Sequence, residues 1–75
     1  MVSITDIPLD SERKVVDITA ESVVRERLLE MGFAPGREVR VLRRLPFGGP
    51  LIVQAGTLVV ALRHTEASCV WVEGS

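Results

Sequence analysis

A glycine followed three residues later by proline-glycine divides this chain into a helical part and a strand-rich part. Gly32 ends a predicted helix at about residues 20–31, because glycine adopts the left-handed C-cap conformation without a Cβ penalty. Pro35-Gly36 forms a turn and prevents the helix from resuming. After Gly36 the apolar residues recur at every second position, which is the period of a strand. The fold must therefore join one helix to β-structure within 75 residues.

The predicted helix has one apolar face. Val24, Leu28 and Met31 recur at i, i+4 and i+7, and either Thr19 or Ser22 can begin the helix as its N-cap. A helix of about ten residues is not stable alone in water. We therefore expect this face to pack against a sheet.

Short stretches that alternate apolar and polar residues account for most of the remaining chain, whereas residues 1–13 have no regular pattern. In the first stretch we expect Val16 and Ile18 to share the buried face, and in the second Val39 and Val41. Ala55-Gly56 is a hairpin signal between the third and fourth stretches. The predicted strands are Lys14–Thr19, Glu38–Leu45, Leu51–Gln54, Thr57–Leu62 and Cys69–Glu73.

Five short strands and one helix predict a mainly β protein with a single domain spanning residues 1–75. Strands of this length and spacing are typical of a small closed or nearly closed antiparallel barrel. Cys69 is the single cysteine, so no internal disulfide can stabilise the chain and its core must consist of packed aliphatic residues. We expect the helix to cover one opening of the barrel.

Charge and hydropathy exclude several classes of protein. Nine basic residues face ten acidic ones, for a net charge of −1, which argues against a general nucleic-acid binder. No apolar run approaches the roughly 20 residues of a membrane span, so we expect no insertion into a membrane. The N-terminus has no pattern of a signal peptide, and together with the lone cysteine this predicts a cytoplasmic protein.

The helix end is more specific than its separate residues. Arg27–Gly36 reads RLLEMGFAPG and resembles the RLxxMGhxPG segment of the FeoA family of small proteins associated with bacterial ferrous iron transport. The downstream features agree in order and spacing, so that the resemblance covers about residues 14–73. These features are Gly49-Pro50-Leu51, Gly56 with Leu62-Arg63 and Glu66-Ala67, and Val70-Trp71-Val72. The helix-end motif itself consists of Leu28, Met31, Gly32, Pro35 and Gly36.

The resemblance implies an SH3-like barrel with an inserted helix. It also implies an accessory or regulatory protein of Fe²⁺ uptake that contacts the membrane GTPase transporter FeoB, with no enzymatic activity and no cofactor of its own. Metal-dependent repressors carry a similar SH3-like domain, which leaves an alternative. On that alternative the chain contacts such a repressor or senses a transition metal itself.

Residue spacing predicts neither catalysis nor a metal site. His64, Glu66 and Cys69 lie within six residues, but without the CxxC, HxH or HxxxH spacings that bring ligands together. A nucleophilic cysteine needs a base within reach, and nothing in the sequence pairs Cys69 with His64. We expect no catalytic residue, no metal ligand and no bound cofactor.

Basic residues concentrate after the helix. Arg37, Arg40, Arg43 and Arg44 fall within eight residues, and residues 37–75 carry five basic groups against three acidic ones. This cluster is either a solvated strand face or a basic edge that meets an acidic partner.

Two aromatic residues add to the candidate contacts. Phe47 lies in a loop bounded by Pro46 and Pro50, where it either anchors an interface or folds over the mouth of the barrel. Trp71 lies opposite Val70 and Val72 by strand parity, so it either seals the barrel or faces a second subunit. The candidate partner-binding residues are Arg43, Arg44, Phe47 and Trp71, and self-association into a homo-oligomer stays open.

Overall fold

A computed structural model describes residues 1–74 as one antiparallel sheet with two helices. The strands are β1 (Val2–Ser3), β2 (Glu12–Ile18), β3 (Glu38–Arg44), β4 (Leu51–Ala55), β5 (Leu58–Leu62) and β6 (Val70–Val72). The helices are α1 (Ser22–Glu30) and α2 (His64–Ala67), and a 3₁₀ turn occupies Ile4–Asp6. The mainly β prediction with an inserted helix is therefore confirmed, with six strands in place of five.

The sheet curves around a single aliphatic core. Its strand order is β1-β6-β2-β3-β4-β5, with β2 pairing with both β6 and β3. β1 and β5 are the two outer strands, so the barrel stays open between them, and α2 contacts both β5 and the 3₁₀ turn at this seam. The core contains Ile4, Ile7, Val15, Ile18, Leu28, Phe33, Val39, Val41, Leu51, Val53, Ala55, Leu62, Ala67, Val70 and Val72.

Helix α1 ends as its sequence predicts, although it is shorter than residues 20–31. Leu28 is fully buried, and Val24 and Met31 are partly buried against the core. Gly32 has φ of +101° and its N–H donates to the Leu29 carbonyl, while the Phe33 N–H donates to the Leu28 carbonyl. This reversal of the chain carries the Phe33 ring from the end of the helix into the core.

In β2, the predicted strand Lys14–Thr19, the buried valine is Val15 and not Val16 as expected. Val15 is 2% exposed, whereas Val16 is 45% exposed, and the register of β2 against β6 shifts between Val15 and Asp17. The irregularity is a β-bulge, which places one extra residue in β2. Ile18 is buried as predicted. Because the bulge adds one residue, Val15 and Ile18 both face the core although they are three positions apart.

The N-terminal segment, predicted to be irregular, belongs to the fold. β1 pairs with β6 through Val2↔Val72 and Ser3↔Trp71. Ile4 and Ile7 are fully or almost fully buried in the core. Neither a two-residue strand nor a single 3₁₀ turn is long enough to show a period, so the sequence pattern could not reveal them.

The β4–β5 hairpin turns one residue later than predicted. Ala55 pairs with Leu58, so the turn is Gly56-Thr57 rather than Ala55-Gly56. Gly56 has φ of +62°, which suits the first central position of a two-residue hairpin turn. Ala55 is thereby a strand residue, and its side chain is buried beside Gly32.

Candidate functional site

The β3–β4 hairpin ends in a tight turn at Pro46–Gly49. The Gly49 N–H donates to the Pro46 carbonyl at 3.1 Å, and the Leu45 N–H donates to the Pro50 carbonyl at 3.1 Å. Phe47 and Gly48 have φ of +60° and +68°, as in a type I′ turn. Such a turn matches the twist of its strands, so it projects its two central residues from the end of the sheet.

Phe47 is the most exposed large apolar residue in the described chain. Its exposed fraction is 104%, so the ring does not fold over the mouth of the barrel. A left-handed backbone costs a residue other than glycine about 1–2 kcal/mol, and asparagine or glycine is the usual occupant of this position. The hairpin thus holds an aromatic ring in water at the expense of its own stability.

Three of the four clustered arginines have clearly different surroundings. Arg40 forms an ion pair with Glu12 at 2.6 Å. Arg44 donates to the backbone carbonyls of Thr5 and Ile7, which attaches it to the N-terminal segment. Arg43 is exposed and has no ion pair within residues 1–74.

Arg43 belongs to a row across the outer face of the sheet. It pairs with Ile52 of β4, which pairs with Ala61 of β5. Ile52 is half-buried and Ala61 is exposed, so an apolar strip extends from the arginine towards the sheet edge. This strip was not predicted from the sequence, because every residue of β5 is apolar and no alternation marks its outer face.

Trp71 lies on a different part of the sheet. Its strand β6 is separated from β3 by β2, and its indole Nε1 donates to the Thr19 hydroxyl at 2.7 Å. The side chain is half-buried and its polar atom is already satisfied inside the molecule. We therefore define the docking tip by the two remaining exposed candidates alone, Arg43 and Phe47.

Two exposed carboxylates on the outer face shift each other's pKa in opposite directions. The Glu38 side chain hydrogen-bonds to Glu12 and, together with Arg40, lowers the pKa of Glu12. The same hydrogen bond and the charge of Glu12 raise the pKa of Glu38. These residues and Gln54 line a shallow cavity of about 310 Å³, and both carboxylates are solvated.

A second, more apolar cavity of about 190 Å³ lies between the helices and is lined in part by Val24 and Cys69. The Cys69 thiol donates to the Thr65 carbonyl at 3.4 Å. Glu66 accepts from the Arg63 N–H at 2.9 Å and pairs with Arg27 at 3.5 Å. The cavity therefore has a thiol at one wall, with no histidine among the residues that line it.

Within residues 1–74, no three His, Cys, Asp or Glu side chains lie close enough together to hold a metal ion. Likewise, none of the helices formed by these residues has the length and apolar character needed to cross a membrane.

A curved antiparallel sheet with one inserted helix and a projecting hairpin is the architecture of a small SH3-like domain. The FeoA domain family matches residues 2–74, so the chain belongs to the FeoA family. Among curated protein sequences, none matches this chain. Family membership links the protein to ferrous iron transport, and the helix-end motif predicted from the sequence has the geometry described above.

Solved structures of FeoA proteins have the same fold. An iron uptake regulatory protein (FeoA) is 30% identical, with 95% of this chain and 93% of that chain covered at a TM-score of 0.86. FeoA from Stenotrophomonas maltophilia, solved with zinc and described as a prokaryotic SH3 domain protein, is 35% identical, with coverages of 97% and 91% and a TM-score of 0.83. FeoA from Chlorobium tepidum is 28% identical, with coverages of 95% and 68% and a TM-score of 0.86.

A manganese-dependent transcriptional repressor shares the fold alone. It is 22% identical over 93% of this chain and 39% of the repressor, with a TM-score of 0.84. The likeness of the SH3-like domain to repressor domains is thus confirmed as a likeness of architecture.

Proposed function

We propose that this protein regulates bacterial ferrous iron uptake by docking on the cytoplasmic GTPase-bearing part of the transporter FeoB. It acts by contact and performs no chemistry of its own. The observation that supports this most strongly is the exposed ring of Phe47 on a strained turn. Family membership supplies the link to iron transport, and a role as an activating factor of that transport has been proposed for the FeoA of S. maltophilia.

The strain at Phe47 supports an interface more than a structural role. The ring contributes nothing to the core, since it is fully in water. Burying a phenylalanine side chain in a partner gains about 1.5–3 kcal/mol. The tight turn already fixes the backbone, so little entropy is lost when the ring binds.

Arg43 adds charge selectivity to the docking tip. Its guanidinium has no ion pair within the described residues, and it lies on the strand that leads to Phe47. Arginine and aromatic residues are both enriched at the cores of protein interfaces. The docking tip therefore suits an apolar pocket with an acidic rim. Binding shifts the transporter among its existing conformations.

Binding to FeoB is tested with a variant that removes the Phe47 ring but keeps the turn folded. Phe47→Asn keeps the left-handed turn and removes the ring, so we expect the variant to stay folded and to bind the purified GTPase region of FeoB at least about tenfold more weakly. The matched control is Val23→Asn, which removes another exposed apolar side chain from the surface of α1. Affinity is measured by interferometry with and without a GTP analogue.

The outcomes separate the parts of the proposal. If the unsubstituted protein fails to bind in either nucleotide state, docking on the GTPase region is wrong. If it binds and Phe47→Asn binds equally well, the docking tip is wrong. Loss of binding in both Phe47→Asn and Val23→Asn would show that the measurement reports general surface hydrophobicity.

The alternative of a metal-linked regulator has one observation in its favour, the zinc bound to the FeoA of S. maltophilia. It predicts heat of binding when Fe²⁺ or Co²⁺ is titrated into the protein under reducing conditions. Saturable binding that also changes the affinity for a repressor would favour it over docking on the transporter.

A further inference from the structure

The outer edge of β5 carries unpaired backbone groups. β5 pairs with β4 from Ala55↔Leu58 to Leu51↔Leu62, and it is the last strand in the sheet order. In an antiparallel hairpin closed by a two-residue turn, residues alternate between bonding to the partner strand and pointing away from it. Val59 and Ala61 therefore direct their N–H and C=O groups outward.

These outward groups are not used elsewhere. Within residues 1–74, no loop or turn hydrogen-bonds to the backbone of Val59 or Ala61. Leu58 and Val59 are 49% and 52% exposed and Ala61 is also exposed, so the outer edge of the strand is accessible although α2 contacts β5. A free edge of this kind accepts one further strand.

β5 also lacks the features that protect sheet edges. Its five residues are Leu, Val, Val, Ala and Leu, with no charge and no proline. The irregularities in register lie in the β2–β6 and β3–β4 pairs, not here. Exposed edges without such protection are the ones that pair with other strands.

We propose that β5 pairs with β5 of a second copy of this chain, antiparallel and centred on Val60. Val59 then lies opposite Ala61 of the second copy, and the two pairs exchange four backbone hydrogen bonds. The contact is isologous, so the same strand serves both subunits and the assembly closes at two copies. The inference is independent of the proposed docking on FeoB, because it uses neither residue of the docking tip.

The charges around β5 fit this arrangement. Arg63 follows the strand and Thr57 precedes it, so antiparallel pairing sets Arg63 opposite Thr57 of the second copy and keeps the two arginines apart. The neighbouring outer-face residues on β4, Ile52 and Gln54, are uncharged. A strand with acidic side chains would find no basic partner on β5, whereas an identical apolar strand meets no like charge.

Strand β1 of another copy is a poorer partner for the edge of β5 than β5 itself. β1 has two residues, so its edge offers fewer hydrogen bonds than the five-residue β5. Pairing β5 with β1 of another copy would also be a heterologous contact, which generates either a ring or an open filament rather than a closed two-fold dimer. In the β5–β5 arrangement, by contrast, Ile52 and Ala61 continue directly to Val59 of the second copy, so one apolar strip crosses the interface.

Sedimentation velocity over a concentration series tests the pairing. We expect the full chain to shift from an 8.2 kDa species towards twice that mass as its concentration rises to the millimolar range. A single 8.2 kDa species at every concentration would overturn the proposal.

Charge variants test the register. In Val59→Lys or Ala61→Glu alone, each new charge replaces an apolar contact, and the two like charges lie diagonally across the two-fold axis within reach of each other, so we expect dimerisation about tenfold weaker. An equimolar mixture sets one lysine opposite one glutamate, and we expect it to restore the dimer. Val23→Lys, on α1, is the matched control and leaves the association unchanged.

The equimolar mixture distinguishes a lost β5–β5 contact from unfolding as the cause of weaker dimerisation. A variant that merely unfolds cannot be rescued by another variant, so restored association confirms the β5–β5 register. Unchanged dimerisation of Val59→Lys, or a mixture that stays monomeric while both variants are folded by circular dichroism, would overturn the proposal.

Discussion

Gly32 and Phe47 both have positive φ, yet the fold depends on only one of them. A Cβ added to Gly32 would lie 3.4 Å from the Ala55 Cβ, and the glycine turn is what delivers Phe33 into the core. At the docking tip, a Cβ at the adjacent Gly48 would meet nothing within 4 Å. The fold requires the positive φ of Gly32. The positive φ of Phe47 strains the turn without stabilising the fold, and we infer that the exposed ring serves binding to a partner.

We expect Phe47→Asn to stabilise the isolated protein by about 1 kcal/mol. Asparagine tolerates the left-handed conformation that phenylalanine adopts with strain, and no packing is lost because the ring is fully exposed. Urea denaturation followed by circular dichroism measures the free energy of unfolding. Phe47→Ala is the control, since it removes the ring but keeps a strained Cβ, and we expect little gain from it.

A less stable Phe47→Asn variant would mean that the ring packs on the molecule in solution. The combination expected here, higher stability with weaker binding, distinguishes a residue kept for an interface from one kept for the fold.

At the scale of the elements, the sequence predicts those helices and strands that have a long apolar period or a distinct capping residue at their end. Helix α1 has both, because Leu28 lies on a periodic face and Gly32 ends it. β2 has a clear period that the bulge after Val15 interrupts, so a strict two-residue alternation assigned Val16 to the core. A bulge depends on how β2 meets β6, which is a tertiary property absent from the local pattern.

The candidate site was predictable to a similar extent. Its loop was apparent from Pro46 and Pro50, and the exposure of Phe47 was one of two open interpretations. The partners of Arg44, by contrast, are carbonyls 37 and 39 residues away in a segment predicted to be irregular. No local pattern reports such a contact, because backbone carbonyls carry no sequence signature.

We expect Leu28→Ala to destabilise the protein by about 2–5 kcal/mol, since it leaves a cavity where α1 packs on the sheet. Leu28 is fully buried, whereas Leu9 is 47% exposed. Leu9→Ala is therefore the matched control, with an expected change below about 0.5 kcal/mol. Thermal and urea unfolding measure both variants, and equal losses would contradict the placement of α1 on the core.

At the scale of the whole molecule, the open seam makes the N-terminal segment a structural part of the barrel. Ile4 and Ile7 are core residues, but the segment that carries them has only two paired strand residues, Val2 and Ser3. Arg44 adds a second attachment from the far side of the sheet by donating to the carbonyls of Thr5 and Ile7. The segment thus spans the molecule from β6 to β3.

We expect Arg44→Met to loosen this segment without unfolding the sheet. Methionine keeps much of the apolar stem but loses the donors to two carbonyls, and hydrogen bonds from a charged donor contribute about 1.5–3 kcal/mol when they are shielded from water. Because the Arg44 side chain is in part solvated, we expect a loss below this range, about 1 kcal/mol. Hydrogen exchange should accelerate at the β1–β6 amides, while the β3–β4–β5 amides stay protected, since local opening requires only the segment to detach.

Arg43→Met is the control for this experiment. It removes the neighbouring arginine, which has no ion pair in the described part of the chain and no bond to the N-terminal segment. If both variants accelerate exchange equally, general charge loss explains the effect and Arg44 does not hold the segment. If only Arg44→Met accelerates exchange, the two adjacent arginines of β3 have different roles. Arg44 then holds the N-terminal segment on the barrel, whereas Arg43 stays exposed at the docking tip.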